Sequence, residues 1–123
     1  MKIPVIASST LVDNKFFYLN VEDVFEIEGA VSVADAAIIR FTGGVSDSVI
    51  TFTFDGTNAA EKVLNAKKFA DYMAEKIQEL TGPSSTQKKP FDLIPTLAEI
   101  HTATGIKLTG GTGNDAIKTI ALT

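Results

Sequence analysis

The feature that most constrains this chain is one long amphipathic stretch, residues 59–80. Its apolar residues recur at alternating intervals of three and four, the spacing that aligns side chains along one face of an α-helix. They are Val63, Ala66, Ala70, Met73, Ile77 and Leu80. Asn58 is a predicted N-cap with Glu61 three residues on, and Gly82 followed by Pro83 predicts the end of the helix. The stripe therefore predicts a helix that covers one side of a sheet.

The segments before this helix predict that sheet. Four of them are rich in branched and aromatic residues and are bounded by turn formers. They are residues 16–19, 24–27, 36–41 and 49–54. In the last of them, Ile50, Phe52 and Phe54 alternate with residues that include Thr51 and Thr53, so one face is apolar and the other is rich in threonine. We predict an α+β fold, with a mainly antiparallel β-sheet built from hairpins and one long amphipathic helix packed on one face.

Composition limits the classes of function. The 123 residues fit a single domain, 1–123, and a net charge of −4 lacks the excess of lysine and arginine that binds a phosphate backbone, so no nucleic-acid partner is expected. The absence of cysteine excludes disulfides and thiolate zinc sites. No signal-peptide core and no membrane span are recognisable. We expect no membrane partner and a protein kept in the cytoplasm or built into a particle assembled there.

Residues 82–96 predict an irregular loop within the domain, because they hold three of the four prolines in the chain. The centre of the loop is nonetheless apolar, with Phe91, Leu93 and Ile94. These side chains either tuck back over the core of a monomer or reach a neighbouring molecule in an assembly.

A second candidate contact is the aromatic triplet Phe16, Phe17 and Tyr18. Neighbouring side chains of a strand point to opposite faces, so at least one of these rings is exposed unless a partner covers it. The predicted partner-contact residues are Phe16, Phe17, Tyr18, Phe91, Leu93 and Ile94.

Acidic residues cluster within residues 22–28. They are Glu22, Asp23, Glu26 and Glu28. In a strand the three glutamates share one face while Phe25 and Ile27 lie opposite, which predicts a solvated acidic face or a charged edge that discourages wrong strand pairing. Paired acids also cleave glycosides, but that chemistry usually adds aromatic sugar platforms, and the chain has no tryptophan.

The single histidine, His101, falls where we predict a strand or the start of one. A histidine can act as a general base, but the chain offers no cysteine and no recognisable serine nucleophile motif beside it. One histidine also cannot form a histidine-rich metal site. We therefore predict no catalytic residues.

The stretch LTGGTGNDAIKTI contains one copy of the calcium-binding nonapeptide pattern, at residues 110–118. That pattern binds calcium when at least three tandem copies stack, and here it occurs once. The sequence IRFTGG at 39–44 is related to IKLTGG at 106–111, and both lead back into a β pattern. The shared feature is a glycine turn between two strands, so we predict two hairpins and neither a metal nor a cofactor site.

The order of these parts carries a resemblance. A short N-terminal strand, the NVEDV strand, the AAIIRFTGG and DSVITFTF hairpin, one amphipathic helix and a final GIKLTGG and IALT hairpin follow one another. This order resembles small β-rich accessory structural proteins encoded beside capsid and tail genes in tailed bacteriophages. The resemblance implies a virion role, such as an auxiliary or decorating capsid protein, without catalytic residues.

The leading hypothesis is a non-enzymatic structural protein of a virion that assembles with itself, with a larger coat protein, or with both. The alternative is a small-molecule binding module with a pocket between helix and sheet, since such interfaces commonly hold ligands. An enzyme is the third hypothesis.

Calcium is predicted to leave the stability of the protein unchanged. A ligand that binds only the native state raises the melting temperature as its concentration exceeds the dissociation constant. Because we interpret residues 110–118 as a turn, thermal unfolding in chelator and in millimolar calcium should coincide. A rise of several degrees in calcium that Asp115→Ala abolishes would contradict this interpretation.

Overall fold

The structure is a computed structural model that describes residues 2–7, 10–29, 35–43, 48–56, 58–81, 97–106 and 116–123. Its strands are β1 (Lys2–Ala7), β2 (Thr10–Tyr18), β3 (Val24–Gly29), β4 (Ala36–Phe41), β5 (Val49–Asp55) and β6 (Ala116–Leu122). Its helices are α1 (Ala59–Thr81) and α2 (Leu97–Thr104), and a 3-10 turn spans Val21–Asp23.

The six strands form one sheet in the order β2-β1-β6-β5-β4-β3. Every neighbouring pair is antiparallel. β1 with β2, β3 with β4, and β4 with β5 are pairs of consecutive strands, whereas β6 lies between β1 and β5. The predicted α+β fold with a mainly antiparallel sheet and a long helix is confirmed.

Helix α1 packs on one face of this sheet. The predicted stripe is correct from Ala66 to Ile77, whose members are buried, and the side chain of Leu80 lies outside the described residues. Asn58 is the N-cap, because its Oδ1 accepts a hydrogen bond of 3.0 Å from the backbone N–H of Glu61. The buried face is wider than the stripe, since it also includes Asn65, Phe69 and Tyr72. Neither described helix is long and apolar enough to cross a membrane.

Aromatic rings fill the contact between α1 and β5. The ring centroid of Phe69 lies 4.7 Å from that of Phe52 and 5.2 Å from that of Phe54. Along β5 the side chains of Ile50, Phe52 and Phe54 are buried and those between them are half-buried, which confirms the predicted alternation.

The close approach of α1 to the sheet depends on a glycine in β3. A Cβ atom at Gly29 would lie 3.0 Å from Ala70 Cβ and 3.2 Å from Lys67 Cα. Any larger residue would push the helix away from β3, because atoms in packed interiors leave little room to move. Small residues on both elements therefore set the distance between helix and sheet.

One prediction of secondary structure is wrong. The segment around His101, predicted as a strand, forms helix α2, whose residue Ile100 is buried while His101 is exposed. Gly105 ends the helix with a φ of 78° and donates its N–H to the carbonyl of His101 at 2.8 Å. Glycine in this left-handed conformation commonly ends a helix, so Gly105 was a sequence signal for the end of α2.

The acidic segment also differs from the prediction. Glu22 lies in the 3-10 turn, where its N–H donates to Asn20 Oδ1 at 3.2 Å, and so it does not share a strand face with Glu26. The pairing of β3 with β4 shifts between Val24 and Glu26, which leaves Phe25 as the extra residue of a β-bulge. Phe25 is consequently exposed and does not lie beside Ile27 on the buried face.

Several predicted features lie outside the described residues. They are the loop at 82–96 with Phe91, Leu93 and Ile94, and the second glycine turn at 107–115. The first turn is described in part: β4 and β5 form the predicted hairpin, and Gly43 has the positive φ, 88°, that the turn sequence predicted.

Met73→Asp is expected to unfold the protein. Met73 is 3% exposed and belongs to the core beneath α1. An unpaired charge there costs several kcal/mol, against a total stability of about 5–15 kcal/mol. Met73→Leu is the control, because it keeps volume and polarity and should cost less than about 1.5 kcal/mol. Urea denaturation of both variants measures the difference, and an unchanged midpoint for Met73→Asp would show that the stripe does not face the core.

Candidate functional site

The register of the strands separates two faces of the sheet. Ile3 is buried in the core and lies opposite Phe17, which also packs against the core. Phe16 and Tyr18 therefore point to the other side, away from α1. We call this side the open face. Ala36 and Ile38 lie on this side too, but they are buried, so the chain itself covers that end of the face. The other residues of the open face include Phe16, Tyr18, Glu26, Glu28, Arg40, Val49, Thr51, Thr53, Thr119 and Ala121.

Two aromatic rings stand on the open face at the edge strand β2. Phe16 is 43% exposed and Tyr18 is 58% exposed, and their centroids lie 5.4 Å apart in an edge-to-face arrangement. We call them the aromatic pair. The third predicted contact residue, Phe17, is half-buried against the core. Truncation of Phe17 is thus expected to remove core packing as well, so Phe16 and Tyr18 are the residues that a partner can reach without unfolding the chain.

Arg40 stands on the open face near the opposite edge. Its Nε donates to Glu26 Oε1 at 2.9 Å, and its Nη2 lies 4.0 Å from Glu28 Oε2. All three side chains keep about two fifths of their surface exposed. Sequence reasoning missed Arg40, although it is the only arginine in the chain and interrupts the apolar strand AAIIRF.

The two carboxylates of this group interact with each other. A hydrogen bond with Glu26 raises the pKa of Glu28 above its ordinary value of 4.5, desolvation and the negative charge of Glu26 add to the rise, and Arg40 opposes it. Near neutral pH both acids compete for one guanidinium. The ionised form of Glu28 is therefore less favourable in the folded chain than in the unfolded one.

The edge strand β3 is unsuited to adding another strand. Phe25, at 64% exposure, occupies the bulge, and Glu26 and Glu28 follow it along the edge. Bulges and charges on an edge both oppose pairing with a foreign strand. This geometry fits the charged edge that the sequence predicted, with Glu26 and Glu28 contributing and Glu22 displaced into the 3-10 turn.

The described part of the chain contains no group of three or more His, Cys, Asp or Glu side chains that could hold a metal ion. His101 lies on α2, on a different element from the acidic residues of β3. Among the described residues, the histidine and those carboxylates do not form a group that could hold a metal ion.

An open groove runs along the outer side of α1 beside α2. Lys68, Asp71, Tyr72 and Thr104 line it. Burial raises the pKa of Tyr72, and Lys76, whose Nζ lies 5.8 Å from the ring centroid, opposes the rise. This groove is separate from the interface between α1 and β5. The alternative hypothesis places a ligand pocket between helix and sheet, and at this interface the rings of Phe52, Phe54 and Phe69 fill the space.

Comparison with known proteins found no matching protein family, no matching curated protein and no matching solved structure.

Glu28→Gln is expected to raise the melting temperature at neutral pH. Because folding raises the pKa of Glu28, its protonated form stabilises the fold. This stabilisation is complete below the ordinary pKa of 4.5 and is lost as the pH rises through the raised pKa. The uncharged amide avoids this loss, so the advantage of the variant should disappear well below pH 4.5.

Thermal unfolding over a pH series measures this effect, with Glu75→Gln as the control. Glu75 is an exposed acid on α1, so its replacement changes the net charge equally without touching Arg40. A Glu28→Gln variant that melts below the wild type at neutral pH would show that attraction to Arg40 outweighs repulsion by Glu26.

Proposed function

We propose that this chain is a non-enzymatic structural protein of a virion, an auxiliary or decorating capsid protein that acts by associating with itself or with a coat protein. The observation that carries the proposal is the exposed aromatic pair on the open face. Large rings held against each other at a surface provide contact area at a low cost in side-chain entropy, and aromatic residues are enriched at interfaces.

The location of the aromatic pair supports an association role. Helix α1 packs on the other face of the sheet over β3, β4 and β5, and its contact with that face is filled by the core. The open face combines the two rings with threonines and with the charged side chains of Arg40, Glu26 and Glu28. Aromatic residues and arginine are enriched at protein interfaces, whereas a small molecule usually binds in a concave site. The virion setting comes from the resemblance of most of the sequence to accessory structural proteins of tailed bacteriophages.

The experiment is co-sedimentation of the purified chain with particles of the coat protein encoded in the same gene cluster. The variant Phe16→Ala/Tyr18→Ala should bind the particles more weakly by about 2 kcal/mol or more, since truncating buried aromatic anchors has effects of that size. Its fold should survive, because both rings are exposed.

Leu64→Ala is the matched control. Leu64 is 42% exposed, close to the exposure of Phe16, but it lies on α1. Its truncation should leave particle binding unchanged. If the double variant binds particles as the wild type does, the aromatic pair is not the contact. If the wild-type chain neither binds particles nor associates with itself, the proposed function is wrong.

A further inference from the structure

We propose that the cleft between α1 and α2 binds a small organic cation, an amine whose ammonium group donates to the acidic side chains of α1 and to the hydroxyl of Tyr72. The cleft consists of the groove described above and a smaller depression beside it. It lies on the outer side of α1, whereas the open face lies on the far side of the sheet. The proposal is therefore independent of the association proposed above.

Tyr72 is shared by the two parts of the cleft. Together with Lys68 and Asp71 it lines the groove, whose volume is about 820 Å³. Together with Lys76 and Ala103 it lines the depression, whose volume is about 360 Å³. Sites for small molecules are usually clefts of about 300–1,000 Å³. The cleft is thus large enough to hold a small molecule against the side chain of Tyr72.

The hydroxyl of Tyr72 lacks a hydrogen-bond partner in the chain. Tyr72 is 9% exposed, and among the described residues no group forms a hydrogen bond with its hydroxyl. Most polar side-chain atoms that are buried to this extent are hydrogen-bonded to protein or to ordered water, so an exception needs an explanation. Because Tyr72 lines both parts of the cleft, a molecule bound there can supply the missing hydrogen bond.

The charges near Tyr72 indicate the side on which its hydroxyl lies. Burial raises the pKa of this hydroxyl, the ammonium group of Lys76 opposes the rise, and the carboxylates of Glu99 and Glu79 add to it. Lys76 and Glu99 line the depression, and Lys76 Nζ lies 5.8 Å from the centroid of the ring. The hydroxyl is therefore directed toward the cleft, and it stays protonated at neutral pH.

The charge of the cleft favours a cation over an anion. The described charged residues that line it are Lys68, Asp71, Glu75, Lys76 and Glu99. Lys76 also pairs with Glu79, with 3.4 Å between Nζ and Oε2. With Glu79 included, two ammonium groups stand against four carboxylates, which leaves a net charge of −2. A cleft lined by an excess of one charge concentrates ions of the opposite charge.

Two of these carboxylates can accept from a bound amine. Asp71 and Glu75 are exposed, and neither forms an ion pair among the described residues. They are four positions apart on α1, so they lie on the same face, about one turn or 5.4 Å from each other along the helix. An ammonium group has three donors, enough for a carboxylate and for the oxygen of Tyr72. A linear diamine can use both carboxylates.

The first test is an amide NMR titration of the whole chain with three probes of the same carbon length. The probes are 1,4-diaminobutane, 1,4-butanediol and succinate. We expect the diamine alone to shift amides of α1 and α2, and to bind more weakly at high salt because its partners are exposed charges.

Variants of the acidic residues test the same site. Asp71→Asn and Glu75→Gln should each weaken binding of the diamine roughly threefold, since each removes one exposed ion pair. Glu22→Gln is the matched control, because it removes an equal charge from an exposed position in the 3-10 turn, outside the cleft. Its affinity for the diamine should equal that of the wild type.

The second test removes only the hydroxyl, in Tyr72→Phe. This variant should bind the diamine about tenfold more weakly, since a hydrogen bond to a charged group is lost. It should be no less stable than the wild type in urea denaturation, because the hydroxyl has no partner in the chain. Tyr18→Phe removes the hydroxyl of the other tyrosine in the chain and should leave diamine binding unchanged.

Each contrary result overturns the proposal. Binding of succinate as tight as that of the diamine would make the class of ligand wrong. An equal loss of affinity in Glu22→Gln and Asp71→Asn would show diffuse attraction to an acidic chain. A Tyr72→Phe variant that is destabilised but binds the diamine normally would give the hydroxyl a structural role. Absence of any shift with millimolar diamine would remove the site.

These outcomes are distinct from those of the proposed function. The cleft and the open face lie on different sides of the sheet, so particle binding is expected to be the same with and without the diamine. A chain that binds the diamine but neither particles nor itself overturns the proposed function and supports the amine site.

Discussion

The position of β6 is the constraint on which the rest of the sheet depends. This strand pairs with β5 along its length and with β1 at Ile120, so it joins the hairpin of β1 and β2 to the meander of β3, β4 and β5. The residues that meet there, Ile6 and Ile120, come from distant parts of the sequence. Pairing of this kind must overcome the entropy of closing a long loop before it gains any contact, so the complete sheet depends on the core that forms around it.

That core explains why the two faces of the sheet differ. Phe69 packs its ring against Phe52 and Phe54, and Gly29 with Ala70 lets α1 approach β3 closely. Asn65 is also buried, and its Nδ2 donates to the carbonyl of Asp55 at 3.0 Å, which fixes α1 to the end of β5. The alternation along β5 then sends its threonines to the opposite side. The open face is thus a consequence of how α1 is held.

Local periodicity accounts for what the sequence could predict. The three and four spacing around Met73 identified α1, and the alternation in β5 identified its buried face, because each pattern repeats within a few residues. The bulge at Phe25 depends on how β3 pairs with β4, and helix α2 depends on burying Ile100. No short periodic pattern in the sequence therefore predicts either of them. Gly105 was a local signal for the end of α2 that the strand prediction overlooked. The sequence predicted Phe16 and Tyr18 as contact residues. Their position near the edge of the sheet opposite Arg40 became known only from the strand order.

The two edges of the sheet bear on the type of assembly this chain can form. An association through edge strands would join β2 of one copy to β3 of the next, which leaves a free edge at each end and permits open-ended growth. The bulge at Phe25 and the carboxylates of Glu26 and Glu28 oppose that mode. The same carboxylates lie beside Arg40 on the open face, where all three side chains stay partly exposed. The acidic edge thus disfavours growth through edge strands, so the association that we propose for this chain would use the open face instead.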